Sequence, residues 1–353
     1  MTLKRTLSSQ SPLPHPARLR RLALPLTFLA AGATLLGGFA FPPQHQRAPR
    51  ALNVLLMGTD ERDTISAAEK KKFHAGGRPC GCTDVLMLVH LSARRDRVSV
   101  VSLPRDSYAD VPPHRDEATG EELGPHPAKI NGAYAEGGPD LTVRTVESMT
   151  GVRIDRHLQV DFRRFIDTVD DVGEVEVCTP RRLRDSATKI DLRPGRHKLS
   201  GGPALQYVRS RHVDTSADLG RIQRQHRFLV QALRGVQARG LLSDPVRSAR
   251  MARTLLGSGP QGFTAPELVK LAGELRKVPA RSVEFTTVPI AGFNETRPDV
   301  GSTLAWDRER ADAVFRTLRA DRPLLAASAD PVPKDPPGLK GYGPVRGSRL
   351  ACE

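Results

Sequence analysis

The alternation of apolar and polar positions along the chain predicts a layered fold that starts near Ala51. Leu52–Met57 is an apolar run broken only by Asn53 and closed by Gly58-Thr59-Asp60, as expected for a strand that is buried on both faces and ends in a tight turn. Val85–Leu91 and Val98–Leu103 are two more apolar runs. The short polar connection between them predicts an antiparallel hairpin.

Strand and helix patterns alternate through the rest of the chain. Strands are expected over Ile154–Val160, Val175–Cys178 and Val283–Val288. Helices are expected from Pro139 to Gly151 and over Phe162–Val172, Pro245–Leu256, Ala265–Leu275 and Arg308–Leu318. The alternation predicts the α/β class, as a three-layer αβα sandwich around a central mixed β-sheet.

A helix expected after Asp218 carries both packing and chemistry. Its buried stripe is predicted to comprise Leu219, Ile222, Leu229, Val230 and Leu233. Arg221, Arg224 and Gln225 follow at i, i+3 and i+4, which places them on its polar side. Arg221 and Gln225 should point together beside the sheet edge, where the helix N-terminus favours an anion. Arg224 and Arg227 are expected at the surface.

The predicted hairpin brings charged residues to one edge of the sheet. The start of its first strand lies beside the end of its second, so Asp84 and Arg105 should be neighbours. Asp60 joins them if the Leu52 strand runs parallel to the Val98 strand. Two carboxylates and an arginine would then share one edge.

The N-terminal region predicts export of the chain. Residues 1–21 are basic and residues 22–41 hold no charge over a length that spans a bilayer, which predicts one N-terminal transmembrane helix, a signal anchor. A cleaved signal, with Ala40 before the cut, and a buried helix are the alternatives. Residues 42–50 are expected to be a linker, 51–320 an extracytoplasmic catalytic domain, and 321–353 a disordered tail.

The net charge of +15 indicates anionic partners. Aromatic residues make up 5% of the chain and do not interleave with the basic ones, which disfavours a protein that stacks on single-stranded bases. Basic residues before the apolar segment place the rest of the chain outside the cell. No nucleic acid partner is therefore expected, and the chain is predicted to be a single-pass protein of the cell membrane.

Four cysteines, Cys80, Cys82, Cys178 and Cys352, suit disulfides in an exported protein. Zinc binding by Cys80, Cys82 and His74 is disfavoured because no second ligand pair follows at a zinc-finger spacing. Pairing among Cys80, Cys82 and Cys178 is expected, with its connectivity open.

The candidate site residues combine hard oxygen ligands with phosphate-binding cations. Asp60 and Asp84 suit Mg²⁺, with Mn²⁺ as the alternative ion, since such an ion is commonly held by one or two carboxylates and by phosphate oxygens. Arginine forks recognise phosphate oxygens in pairs and keep their charge. The arginine candidates and their neighbour are Arg105, Arg209, Arg211, Arg221 and Gln225.

At these residues the chain resembles the LytR-CpsA-Psr family of bacterial envelope proteins, in its actinobacterial type, from Asn53 to about Asp321. The motifs that carry the resemblance are Asn53-Val54-Leu55-Leu56-Met57-Gly58-Thr59-Asp60, Thr83-Asp84, Ser102-Leu103-Pro104-Arg105-Asp106-Ser107, Lys129-Ile130-Asn131, Tyr207-Val208-Arg209-Ser210-Arg211 and Asp218-Leu219-Gly220-Arg221 through Gln225. Each motif alone is weak, whereas their order and spacing are specific.

The resemblance implies a phosphotransferase that moves a glycopolymer, such as a teichoic acid, a capsular polysaccharide or arabinogalactan, from undecaprenyl pyrophosphate onto peptidoglycan. It implies that Asp60 and Asp84 hold Mg²⁺, and that the polyprenyl tail lies in an apolar channel. Arg105, Asp84 and Asp60 are the implied catalytic residues. Arg105, Arg209, Arg211, Arg221 and Gln225 are the implied pyrophosphate ligands.

The chain departs from the family pattern in two places. Cys82 stands where relatives often carry an arginine, and the insertion between Asp60 and Asp84 is longer than in many of them. A phosphate contact is therefore missing or replaced. A disulfide at Cys82 would compensate by fixing this loop.

The same residues are also compatible with simpler structural roles. Asp60 after Gly-Thr suits a plain turn, Asp84 a strand start without metal, and Arg105 a salt bridge to Asp106. His212 suits a general base or a structural histidine, and no base is assigned. The arginines also suit a solvated basic face. The rival functions are hydrolysis of polyprenyl pyrophosphate and non-catalytic binding of anionic polymer or nucleic acid.

Overall fold

Strands and helices alternate along the described part of the chain, which in this computed structural model comprises residues 50–77, 79–213, 215, 217–257, 261–325 and 343–352. The strands are β1 (Leu52–Thr59), β2 (Thr83–Leu91), β3 (Val98–Ser102), β4 (Tyr108–Val111), β5 (His114–Arg115), β6 (Glu122–Leu123), β7 (His126–Lys129), β8 (Arg156–Val160), β9 (Val175–Thr179), β10 (Leu183–Arg184), β11 (Asp191–Leu192), β12 (Gly195–Leu199), β13 (Val283–Thr287), β14 (Ile290–Phe293), β15 (Leu304–Trp306) and β16 (Val345–Arg346). The α-helices are α1 (Ala67–Lys72), α2 (Gly132–Thr150), α3 (Phe162–Val172), α4 (Gly201–Arg209), α5 (Ala217–Ala238), α6 (Pro245–Leu256), α7 (Ala265–Leu275), α8 (Arg308–Arg319) and α9 (Gly347–Leu350).

A six-stranded mixed sheet forms the centre, with the strand order β16-β13-β3-β2-β1-β8. β2 pairs antiparallel with both β1 and β3, which confirms the predicted hairpin and makes β1 and β3 run in the same direction. β8 and β13 are added in parallel on the outside of this trio. All five residues of β3 are buried, including Ser99 and Ser102, whose hydroxyls contact Glu284 and His226.

Helices cover both faces of the sheet. On one face Leu55 and Leu88 pack with Val146 of α2 and Phe315 of α8 in one apolar cluster. On the other, Val100 packs with α5, and the β1 side packs with α6 and α7. The predicted α/β class with a central mixed sheet is confirmed.

Local signals place several helix ends where the sequence predicts them. Asp161 caps α3 by accepting a hydrogen bond from the Arg164 amide, and Gly173 ends it in a left-handed conformation. In α2 the backbone is non-helical at Gly137 and Gly138, immediately before Pro139. The helix predicted from Pro139 is therefore the second part of a longer, broken helix.

The expectation of a disordered tail over 321–353 is wrong for the described residues 321–325 and 343–352. Asp321 binds Arg97, and the Leu324 amide donates to Glu284. Val345 and Arg346 pair antiparallel with β13 at the sheet edge, and Cys352 forms a disulfide with Cys178. The remaining cysteines form the Cys80–Cys82 disulfide. The expected pairing is thus right for Cys80 with Cys82 and wrong for Cys178, because the ordered end of the chain returns to β9.

The predicted transmembrane helix over 22–41 and the basic segment 1–21 lie outside the described residues, as does nearly all of the linker 42–50. Within the part of the chain that the structure describes, no helix is both long and apolar enough to cross a membrane.

Candidate functional site

Three strand ends place the predicted charged residues at one edge of the sheet. Thr59 pairs with Thr83 after a register shift, and the Asp60 amide donates to the Cys82 carbonyl over 3.1 Å. β3 pairs antiparallel with β2, and its last residue is followed by the turn that carries Arg105. Asp60 therefore lies beside the start of β2, where Asp84 meets Arg105.

Asp84 is the centre of an arginine cluster. Its Oδ1 lies 2.5 Å from Arg105 Nη1, 3.3 Å from Arg211 Nη2 and 3.8 Å from Arg221 Nη1. Arg221 Nη2 also donates to the Asp84 backbone carbonyl over 3.1 Å. These arginines come from the turn after β3, the loop after α4 and the first turns of α5. One carboxylate thus gathers cations from three parts of the chain.

Electrostatics keep this cluster charged. Burial raises the pKa of Asp84, but the positive charges of Arg221, Arg105 and Arg211 outweigh it and hold that pKa below its ordinary value. Burial lowers the pKa of Arg221 to about 10, because Asp218 offsets only part of the desolvation. Arg221 remains a cation at neutral pH while its residue is only 3% exposed.

Asp60 has a partner that sequence reasoning missed. Arg62 Nε and Nη2 donate to the two carboxylate oxygens of Asp60 over 2.7 and 2.8 Å. Arg62 also donates to the Gly76 carbonyl, which connects Asp60 to the insertion. Asp-x-Arg spacing in a turn was the available signal. Arg62 thus adds a cation directly beside Asp60.

Arg209 differs from the other arginines. Its guanidinium lies 4.7 Å from the centre of the Phe162 ring, and Nη1 lies 3.4 Å from the His74 carbonyl. Within the described residues it forms no ion pair with a carboxylate. Burial, reinforced by the positive charge of Arg62, lowers the pKa of Arg209. Arg209 thus offers a cation that no nearby carboxylate neutralises through a direct contact.

The start of α5 contributes Asp218, which belongs to a sequence motif but was not predicted as a site residue. Asp218 accepts from Arg221 Nη2 over 2.8 Å and lies 3.1 Å from Arg211 Nε. Gln225 Nε2 donates to the Val208 carbonyl, so the predicted ligand also supports α4. The expected surface position of Arg224 is wrong, because it is buried and donates to the Ser210 carbonyl over 2.6 Å.

The loop that carries Arg211 is held by a buried carboxylate, Asp185. Its Oδ2 accepts from the backbone amides of Arg211 and His212 over 2.7 and 2.6 Å. Its Oδ1 accepts from the Thr188 amide. Burial raises the pKa of Asp185, but these backbone donors bring it down to about 2. Asp185 thus fixes the backbone at Arg211.

A cavity of about 700 Å³ joins the cluster to an apolar interior. All predicted site residues line it: Asp60, Asp84, Arg105, Arg209, Arg211, Arg221 and Gln225. Its apolar lining includes Phe162, Phe165 and Val169 of α3 and Phe228 of α5. Such a volume is typical of small-molecule sites, and its two halves suit an amphiphile with an anionic head.

Two more residues singled out in the sequence lie at this site. Cys82, in its disulfide with Cys80, also accepts from Asn131 Nδ2 over 3.6 Å. The loop before Asp84 is thus fixed covalently. The His212 side chain is 63% exposed and lies 3.7 Å from Asp185, so its geometry does not single it out as a general base.

Comparisons with known proteins agree with one another. A family model described as the LytR_cpsA_psr family matches residues 40–320. The probable cell wall biosynthesis protein LcpB of Corynebacterium glutamicum is 33% identical over 274 residues, which is 76% of this chain and 61% of that protein. The chain thus spans about six-tenths of the length of the first relatives that it matches.

A second relative and a solved structure extend the match. The polyisoprenyl-teichoic acid–peptidoglycan teichoic acid transferase TagU of Oceanobacillus iheyensis is 29% identical over 73% of this chain and 72% of its own length. The crystal structure of Bacillus subtilis TagV superimposes with a TM-score of 0.59 at 24% identity, covering 77% of this chain and 97% of that one. The structural likeness establishes the fold.

Proposed function

The chain belongs to the LytR-CpsA-Psr family, and we propose that it transfers a glycopolymer from a polyprenyl pyrophosphate carrier to peptidoglycan through a phosphodiester. The observation that carries the proposal is the cavity in which an arginine cluster adjoins an apolar interior. A polyprenyl pyrophosphate has the same division into an anionic and an apolar part. The Oceanobacillus relative, a teichoic acid transferase, supports transfer as the reaction.

In this proposal the arginines bind the pyrophosphate oxygens. Arg209 makes no ion pair among the described residues and is available without breaking one. Arg105, Arg211 and Arg221 share the Asp84 carboxylate and would turn part of their charge to the phosphates. Electrostatic stabilisation of this kind is the main contribution that phosphoryl transfer needs from a protein.

Mg²⁺, with Mn²⁺ as the alternative, is the proposed cofactor, and the donor set fits it. Asp60 and Asp84 border the same cavity, and Asp84 is held ionised. Arg62 donates to both carboxylate oxygens of Asp60. For Asp60 to bind the ion, the Arg62 guanidinium would leave this carboxylate and bind a phosphate oxygen instead. When bound, the ion would neutralise pyrophosphate charge.

The proposed transfer conserves atoms and charge. An acceptor hydroxyl oxygen on peptidoglycan bonds to the phosphorus that carries the polymer, and the bond from that phosphorus to the bridging oxygen breaks. Polyprenyl monophosphate leaves with the bridging oxygen, and the hydroxyl proton is released. Arg105 and Arg221 would stabilise the charge that develops on the leaving phosphate.

We place the domain outside the cell, held by the apolar segment 22–41. The two disulfides of the described residues support this proposal, because disulfides persist in oxidising compartments. A reporter fused to the C-terminus would show its location directly. Reporter activity on the cytoplasmic side would contradict it.

The full chain in detergent, with a polyprenyl-pyrophosphate glycan and isolated peptidoglycan, tests the function. We expect polymer covalently attached to peptidoglycan and free polyprenyl monophosphate, and we expect Arg105→Ala to abolish attachment. Arg297→Ala is the matched control, because Arg297 forms an exposed ion pair with Asp299. Release of polymer into solution without attachment would favour the hydrolase, and unchanged activity of Arg105→Ala would refute the site.

A further inference from the structure

A second cluster of metal-ligating side chains lies outside the arginine site. It comprises His114 of β5, His126 of β7 and Glu136 of α2, and their ligand atoms all lie within 4.8 Å of one another. Glu136 immediately precedes the non-helical Gly137 and Gly138, so the break in α2 begins at this cluster. The two histidines lie in the segment that connects β4 to α2 and contains β5, β6 and β7, and Glu136 lies near the start of α2.

Both imidazole rings are oriented by backbone carbonyls. His114 Nδ1 lies 3.0 Å from the Pro112 carbonyl, and His126 Nδ1 lies 3.1 Å from the Gly124 carbonyl. A carbonyl only accepts, so each Nδ1 carries the proton. In a neutral ring the lone pair is then on Nε2, which is how outer carbonyls commonly prepare histidines for a metal.

Both Nε2 atoms face one carboxylate oxygen. Glu136 Oε2 lies 2.9 Å from His126 Nε2 and 3.4 Å from His114 Nε2. The His114 side chain is only 1% exposed, and its Nε2 has no hydrogen-bond partner among the described residues. Two neutral imidazole lone pairs against a carboxylate repel one another unless a proton or a metal ion lies between them.

The separations are compatible with a metal ion held between the three side chains. Ligands bonded at about 2.0–2.1 Å to a tetrahedral ion lie about 3.3 Å apart, which is close to the 3.4 Å between His114 Nε2 and Glu136 Oε2, whereas the 2.9 Å between His126 Nε2 and Glu136 Oε2 would lengthen on binding. One shared proton would satisfy only one of the two rings. Imidazole nitrogen with a single carboxylate is a donor set for Zn²⁺ and its first-row neighbours, rather than for Mg²⁺.

We propose that His114, His126 and Glu136 bind one Zn²⁺-class transition-metal ion, with the fourth position left to water. The ion would join β5 and β7 to α2 at the break of that helix. It would stabilise the segment between β4 and α2, which ends at Lys129, Ile130 and Asn131. The Asn131 amide donates to the Arg105 carbonyl, so this segment is connected to the arginine site through the backbone.

Zinc titration of the full chain, free of any histidine tag and stripped with chelator, tests the proposal. We expect one equivalent to bind with a Kd in the micromolar range or below and to raise the Tm. His126→Ala and Glu136→Gln should weaken binding by at least about tenfold and remove the thermal shift. Both side chains are about a quarter to a third exposed, so these variants are expected to fold.

His197→Ala is the matched control, since His197 contacts a carbonyl but no carboxylate among the described residues. It should bind zinc as the parent chain does. Circular dichroism checks that each variant is folded. Absence of stoichiometric binding in the parent, or undiminished binding in folded His126→Ala and Glu136→Gln, would overturn the proposal.

Discussion

Asp84 is the residue on which the proposed metal and the arginine cluster both depend. Its single negative charge offsets three guanidinium groups, and its pKa is lowered despite burial. With pyrophosphate bound, the same arginines would have an anionic partner of their own. The Asp84 carboxylate would then be free to bind a metal ion. Its negative charge therefore matters more for the proposed function than the shape of its side chain.

Asp84→Asn should therefore keep the fold and lose the chemistry. We expect polymer transfer to fall by at least about 100-fold, and donor binding to become insensitive to Mg²⁺, because the neutral amide is a poor ligand for the ion. Transfer assays and donor titrations with and without Mg²⁺ measure both effects. Asp299→Asn, at an exposed ion pair, is the control. Retained Mg²⁺ dependence in Asp84→Asn would exclude its role as a ligand.

Two arginines of the cluster should respond differently to removal. Arg209→Ala frees no ion-paired carboxylate among the described residues, so we expect weaker donor binding by about tenfold or more with nearly unchanged stability. Arg221→Ala leaves Asp84 and Asp218 short of a buried cation and should cost about 3 kcal/mol of unfolding free energy. Urea unfolding and donor titration separate these outcomes. Equal losses of unfolding free energy in the two variants would contradict the view that Arg221 is held by carboxylates and Arg209 is not.

At the scale of elements, the site depends on loops that have no apolar pattern of their own. The register of β1, β2 and β3 was predictable from apolar runs, and it brought Asp60, Asp84 and Arg105 together as expected. The contacts that Arg62, Asp185 and Asp218 make with these site residues were not predictable from the sequence. Polar residues in loops follow no periodic pattern, and only the folded chain shows which backbone amides donate to Asp185.

Asp185 gives the Arg211 loop a dependence on pH. Its pKa is lowered to about 2, so the stability that it contributes is fully present above its unfolded value near 4 and is lost as the pH falls toward 2. The shift corresponds to about 2 kcal/mol. Asp185→Asn should lower stability at pH 7 and flatten the loss between pH 4 and 2. Urea unfolding across this range measures both, and an unchanged acid slope would contradict the assignment.

Burial along α5 shows where pattern reasoning fails. The apolar stripe was predicted, but Arg221, Arg224 and Gln225 are also buried. Helical periodicity assigns charged positions to solvent, whereas these side chains donate to the backbone carbonyls of Asp84, Ser210 and Val208. These hydrogen bonds offset part of the cost of burying them. The polar side of α5 thus contributes Arg221 and Gln225 to the lining of the cavity.

At the scale of the whole molecule, the C-terminal residues are part of the fold. A segment rich in proline and glycine predicted disorder, and composition alone could not show that residues 343–352 return to the sheet. β16 pairs with β13, and Cys352 reaches Cys178 across 174 residues of sequence. Long-range pairing of this kind leaves no local signal.

That disulfide should dominate the redox dependence of stability. In the chain-entropy account, a loop of 174 residues is worth about 5 kcal/mol and the Cys80–Cys82 loop less than about 2. The Cys178→Ser/Cys352→Ser double variant should therefore unfold at much lower urea than the Cys80→Ser/Cys82→Ser variant. Because the short loop borders the cavity, the second variant should instead change donor binding. Equal urea midpoints for the two variants would show that the C-terminal closure does not stabilise the domain.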